Sequence, residues 1–211
     1  MRDKIVITIG RQFGSGGREV GRMIADKLGI SFYDKELISV AAKESGLCEQ
    51  IFETHDEKPT SSFLYSLVMD TYSLGFGGGG YNMDVPVGQK VFLAQFDAIK
   101  KIAEKESCVI VGRCADYALE DCKNVFHVFI HADRQDRINR VMKRDNIKKE
   151  SDAWDIINKS DKRRANYYNY YSSKKWGEAK TYDLCINSTL LGIENCAEII
   201  IEMADRAYHF R

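Results

Sequence analysis

Gly14, Ser15, Gly16 and Gly17 follow closely on a β-branched run, Ile5 to Ile9, that stops at Gly10. Glycines at such a place let backbone N–H groups crowd an anion. A helix beginning beside them adds unpaired N–H donors and a partial positive charge. The chemistry this pattern fits is phosphate binding, with a nucleotide phosphate as ligand. Two cations lie close by, Arg11 inside the loop and Arg18 just past it, and Ser15 offers the nearest hydroxyl. A second group of candidates follows the apolar run Cys108–Val111, where Gly112 and Arg113 stand together with Asp116 three residues on. A guanidinium projecting from a strand end can fork onto phosphate oxygens. Its structural alternative is a salt bridge.

The loop departs from the established phosphate motifs. G-x-G-x-x-G would need glycine where Glu19 stands. Against G-x-x-x-x-G-K-[ST], aligning Gly16 with the second glycine puts Gly17 where lysine belongs. The Ser/Thr that helps hold Mg²⁺ is also missing, which leaves Ser15 as the metal candidate. Arg18 is the leading substitute for the lysine; a solvated first-turn side chain is the alternative. An ordinary strand–turn–helix reversal is the plainer reading of the whole segment.

Further candidates lie along the chain. Asp34 follows Tyr33 and precedes a helical pattern, where N-capping alone could account for a carboxylate. Arg137, Arg140 and Arg144 share one helix face, apart from Ile138, Val141 and Met142, so one or two of them could face phosphates. Lys159, Lys162, Arg163 and Arg164 form another basic group. Tyr167, Tyr168, Tyr170, Tyr171, Lys174, Lys175 and Trp176 mix aromatic and basic residues, a composition that can stack single-stranded nucleic acid. Packing of a helix against the core is the preferred reading. The four histidines show neither metal nor triad spacing.

These residues need a frame to hold them. Strand patterns at Ile5–Ile9, Ser31–Tyr33, Cys108–Val111, Val125–Ile130 and Asp183–Ile186 alternate with helical patterns. The latter read at Gly17–Leu28 (with Gly29 as cap), Lys35–Ser45, Ser62–Leu74, Gln89–Lys105, Arg134–Arg144, Asp152–Tyr171 and Ile193–Tyr208. Such alternation predicts an α/β fold with a largely parallel sheet. Residues 47–88, with Gly77–Gly80 as a hinge, and residues 146–182 interrupt it. They are expected to form flaps at the carboxyl ends of the strands, where open α/β sheets bind ligands.

A chain of 211 residues suits a single domain over 1–211. Lys plus Arg and Asp plus Glu number 31 each, so no basic field points to nucleic acid or an anionic membrane. No apolar run approaches the roughly 20 residues that cross a bilayer. Six cysteines without CxxC or CxxH spacing read as reduced thiols of a cytoplasmic protein with no structural metal.

The segments IGRQFGSGGREVGRMIADKLG, FYDKELI, VIVGRCADY, FIHADRQDRINRV and DLCINSTLLGIENCAEIII run in the order expected of the cytidylate kinase-like branch of the P-loop nucleoside monophosphate kinases, which the chain resembles. The resemblance implies a three-layer P-loop kinase fold. A five-stranded parallel sheet would carry a monophosphate-binding insertion at 47–88 and an arginine-bearing lid at 146–182. It further implies ATP and Mg²⁺ as cofactors, small nucleotide substrates as partners, and cytidylate-like kinase activity; a homodimer is an open option. On the same ground Gly14 to Gly17 would cradle the donor phosphates with Arg18 and Arg137, and Asn187 would stand near the donor's adenine. Arg113, with Asp34 and Asp116, would hold the acceptor, while Arg163 and Arg164 would clamp the transferring group. Members with established cytidylate activity carry a GSGKGT-type loop, and this chain does not. A non-catalytic nucleotide-binding protein, or a kinase of another small metabolite, is therefore the competing reading.

Overall fold

The computed structural model describes residues 4–34, 37, 39, 40, 43 and 87–209. Five parallel strands, β1 (Val6–Arg11), β2 (Ser31–Tyr33), β3 (Cys108–Val111), β4 (Val125–His131) and β5 (Leu184–Asn187), lie in the order β2–β3–β1–β4–β5. Helices α1 (Gly17–Leu28), α2 (Val87–Lys105), α3 (Ala115–Ala118), α4 (Arg134–Asp145), α5 (Glu150–Ser172) and α6 (Ser188–Tyr208) surround them. Leu37, Ser39, Val40 and Lys43 are also helical, in keeping with the expected helix at Lys35–Ser45. The expected helix at Ser62–Leu74 and the Gly77–Gly80 hinge lie outside the described residues, as does nearly all of the 47–88 insertion.

Burial follows the period-two alternation of the strands. Ile5, Ile7 and Ile9 pack with Val20, Ile24, Ile200 and Ile201, the inward faces of α1 and α6. Val6 turns the other way, with Cys108 and Ile110 of β3, onto Val91, Ile99 and Ile102 of α2. The sheet is thus covered on both faces, and its strands read as continuous apolar runs for that reason. β1 sits at the centre, in register with β3 at Val6↔Cys108 and with β4 at Val6↔Val125. That register brings the glycine loop, the β3 end and the β4 end to one edge.

Several boundaries differ from the sequence reading, by one to five residues. β1 runs on through Gly10 to Arg11, because those residues continue the ladder with Phe129 and Ile130 of β4. α2 starts at Val87, so the last two residues of the expected insertion are helical. α6 starts at Ser188 and kinks at Gly192, where the backbone leaves the helical region; the expected start at Ile193 is the residue just after that kink. The 146–182 segment is chiefly the 23-residue helix α5. Its first half packs against α4 through Ile138, Val141, Ala153 and Ile157. Its second half brings Tyr167, Tyr168 and Tyr171 onto Phe92 of α2. Phe92 and Tyr171 stack at 3.9 Å with rings 6° from parallel, and a pair of this kind contributes about 0.5–1.5 kcal/mol beyond its burial. The tyrosine-rich stretch therefore packs the helix onto the core. Among the described residues no helix is long and apolar enough to cross a membrane.

Candidate functional site

The loop leaves β1 and reverses direction through Gly14 and Gly16, both at φ 79°. Gly16 is also the N-cap of α1. Left-handed backbone at these two positions favours glycine, and the Ser15 N–H between them turns back to the Gln12 carbonyl at 3.3 Å. Space is short as well. A Cβ at Gly14 would lie 2.9 Å from the Arg137 carbonyl oxygen. Ser15 is fully buried between them, and its hydroxyl donates to the Gln12 carbonyl at 2.9 Å. The hydroxyl that the sequence offers as metal candidate is thus turned into the loop's own reversal.

Side chains from distant elements fasten this loop. Phe13 N–H donates to Asp161 of α5 at 2.7 Å, and Arg137 Nε donates to the Phe13 carbonyl at 2.8 Å. Arg137 also pairs with Asp161, and its buried guanidinium is committed to holding the loop. Arg140 reaches the Gly14 carbonyl at 3.4 Å and the Ser188 hydroxyl at 3.3 Å. Ser188 in turn donates to the Ser15 carbonyl at 2.6 Å. The guanidinium groups of Arg144 and Arg164 lie 4.7 and 5.3 Å from the centre of the Phe13 ring. None of Phe13, Asp161 and Ser188 stood out in the sequence as a loop anchor, because each acts on a backbone far away in the chain.

The acceptor-side candidates do meet. Asp34, just past β2, accepts from Arg18 Nε at 2.6 Å and from Arg113 at 3.3 Å. Burial opposes ionisation of Asp34, but the Arg18 hydrogen bond and the charges of Arg11 and Arg113 outweigh it. They hold the carboxyl below its ordinary range. Arg113 is 4% exposed and takes a left-handed backbone at φ 54°, which turns the chain sharply off β3. Arg18, read from the sequence as a cation over the loop, is paired with this carboxylate.

Asp116 stands in the first turn of α3 and accepts a hydrogen bond from the Tyr168 hydroxyl at 2.6 Å. Burial pushes the Asp116 carboxyl up and also raises Tyr168. Beneath them His127 Nδ1 lies 2.8 Å from Thr8 Oγ1, and burial pushes the imidazole below its usual range. A cavity of about 20 Å³ is lined by Gly10, Arg11, Arg113, Asp116, Arg164 and Tyr168, among others. Arg164 reaches it by donating to the Arg11 carbonyl at 3.3 Å, whereas Arg163 is exposed on the outer side of α5. The structure thus sets Arg164 apart from its neighbour Arg163. Asn187 caps α6 by accepting from Thr189 N–H at 2.9 Å, and its amide donates to Asp133 at 3.1 Å.

The residues fit a donor nucleotide and Mg²⁺ to different degrees. The glycine loop packs so closely on α4 that a Cβ at Gly14 would collide with the Arg137 backbone, which leaves glycine as the residue that fits there. Among the described residues no group of three or more His, Cys, Asp or Glu side chains could hold a metal ion. Mg²⁺ in such a site is held mainly by substrate phosphates and water.

Solved structures with similar folds bear on the frame. An uncharacterized protein from Eubacterium ventriosum ATCC 27560 is 31% identical, with a TM-score of 0.69 over 96% of this chain and 99% of that one. A shikimate kinase from Bacteroides thetaiotaomicron is 15% identical, with a TM-score of 0.52 over 95% and 98%. A gluconokinase from Sinorhizobium meliloti 1021 is 13% identical, with a TM-score of 0.51 over 99% and 98%. The last two share the kinase-type P-loop fold. No curated protein matches the sequence. A family model described as the cytidylate kinase-like family matches residues 6–190, a span holding the glycine loop, Asp34, Arg113 and Arg164, and the chain belongs to that family.

Proposed function

We propose that this chain transfers the γ-phosphoryl group of ATP, with Mg²⁺, to a nucleoside monophosphate of the CMP or dCMP type. The observation that carries the reading is a convergence at one sheet edge. A glycine cradle at the N-terminus of α1 meets a buried arginine, Arg113, oriented by Asp34 and joined by Arg164. In the reaction an acceptor phosphate oxygen bonds to the γ-phosphorus as the bond to the β,γ-bridging oxygen breaks, leaving ADP and a nucleoside diphosphate. Such transfer needs little covalent help from a protein; positioning and neutralised charge dominate.

Backbone N–H groups of Gly14 to Gly17 hold the donor phosphates, and Arg137 keeps their loop in shape. Arg113 takes the acceptor phosphate, Asp34 fixes the guanidinium, and Asp116 faces the acceptor's sugar or base. Arg164 supports charge at the transferring group; Arg163 and Arg18 add to the basic field. Asn187 lies toward the donor's base. Mg²⁺, when bound with ATP, supplies charge neutralisation at the phosphates, and Ser15 would have to release Gln12 to take part. The protein works as a single domain in the cytoplasm.

One observation favours a different class of reading. Glycine at the lysine position favours nucleotide binding without turnover. A coupled assay of ADP formation across nucleoside monophosphates and small polyol or acid acceptors separates the readings. Turnover confined to CMP or dCMP supports the proposal, turnover with another acceptor replaces it, and ATP binding without turnover sinks it.

A further inference from the structure

Gly17 is the residue at the position where the phosphate-loop motif places lysine, and it is buried in the first turn of α1. Its backbone is ordinary helix, which any residue adopts. Glycine is therefore not needed there for conformation, and within a helix it is less favourable than alanine. Space explains it instead. A Cβ on Gly17 would lie 2.6 Å from Cβ of Arg11 and 3.1 Å from its Cγ, with the Ser15 hydroxyl at 3.5 Å. The stem of Arg11 fills the volume in which a side chain at position 17 would begin.

The far end of Arg11 is placed by two further facts. Its charge is among those that lower the Asp34 carboxyl, and the residue lines the cavity shared with Arg113 and Arg164. Arg18, the other candidate, is bonded to Asp34 at 2.6 Å with its side chain 59% exposed. We infer that Arg11, crossing the loop from the end of β1 over Gly17, is the phosphate-binding cation that replaces the motif lysine. Resting on the phosphotransfer reading above, this assigns the missing charge to the strand side of the loop and makes Gly17 its obligate neighbour. A guanidinium entering there keeps a permanent charge and can fork onto two phosphate oxygens.

The test is Mg-ATP binding by calorimetry, alongside thermal unfolding, for the wild-type chain, R11Q, R11A, G17K and R11A/G17K. R11Q keeps much of the stem and removes a charge that helps hold Asp34 ionised, so its unfolding temperature should fall somewhat, and binding is compared at a temperature where every variant is folded. Its affinity should fall about 10- to 100-fold, the range for losing a hydrogen bond to a charged group. G17K alone should bind poorly, because two stems compete for one space. R11A/G17K should recover most of the affinity by restoring lysine at the motif position. Wild-type affinity in R11Q, or no recovery in a folded R11A/G17K, would overturn the assignment while leaving phosphotransfer standing. A wild-type chain that binds no Mg-ATP would remove the phosphotransfer reading, and this inference with it.

Discussion

Arg113 reaches Asp34 at 3.3 Å from the end of the neighbouring strand, and both side chains are less than one-tenth exposed. The Arg18–Asp34 contact is shorter, 2.6 Å, but the Arg18 side chain is 59% exposed. Exposure decides which pair matters more. A solvated pair contributes about 0–1 kcal/mol, whereas removing one partner of a buried pair costs roughly 3–5 kcal/mol.

Asp34→Asn should therefore lower unfolding stability by roughly 3–5 kcal/mol near neutral pH, because the buried Arg113 guanidinium keeps its charge and loses the carboxylate beside it. The pH dependence has a definite sign. The Asp34 carboxyl is held below its ordinary range in the folded chain. Its contribution is full above the ordinary carboxylate range and is lost as pH falls through the lowered value. Urea midpoints measured from neutral to acid pH should converge for wild type and variant. Parallel curves would show that the pair contributes nothing.

Arg113→Ala should abolish acceptor use while sparing donor binding, since Arg113 lies on the β3 side of the cavity and the glycine loop is anchored by Asp161, Arg137, Arg140 and Ser188. The measurements are acceptor-dependent ADP release and Mg-ATP affinity. Unchanged acceptor kinetics would take Arg113 out of the site.

Gly14→Ala should weaken Mg-ATP binding and cost on the order of 1–3 kcal/mol of stability. The new Cβ meets the Arg137 carbonyl oxygen at 2.9 Å, and the backbone stands at φ 79°. Both the strain and the neighbour are backbone matters, so a rotamer change gives no relief. Thermal unfolding with calorimetry checks this; a variant as stable and as tight-binding as wild type would contradict it.

His127 should titrate below the ordinary imidazole value of 6.5 when followed by NMR, because burial disfavours its charged form more than Asp116 and Asp183 favour it. Folding then prefers the neutral ring. The stability so gained is full above about 6.5 and is lost as pH falls toward the lowered folded value. A midpoint at or above 6.5 would mean that the contact with Thr8 leaves the ring hydrated.

The frame is legible in the order of residues alone. Continuous β-branched runs mark strands buried on both faces, and four of the five observed strands lie within one residue of the expected bounds at each end; β1 runs two residues further at its C-terminal end. The spacing of Val20, Ile24 and Leu28 marks α1, whose observed limits match the reading. These features are local, and a one-dimensional pattern carries them. Gly14 and Gly16 stand out for the same reason, since a turn with positive φ selects glycine wherever it occurs.

Tertiary structure alone decided where the charges go. Arginine side chains are long enough to reach several partners, and sequence spacing cannot choose among them. It could not show that Arg18 turns to Asp34, that Arg137 grips the Phe13 carbonyl, or that Arg164 and not Arg163 faces the cavity. Nor could it show that Ser188 fastens the carbonyl of Ser15, 173 residues earlier. The chain by itself determined a parallel sheet with a glycine turn at its edge, because helix and strand periodicities are set by neighbours in sequence. Which guanidinium meets which oxygen was settled by the order β2–β3–β1–β4–β5, which brings distant strand ends within hydrogen-bond reach.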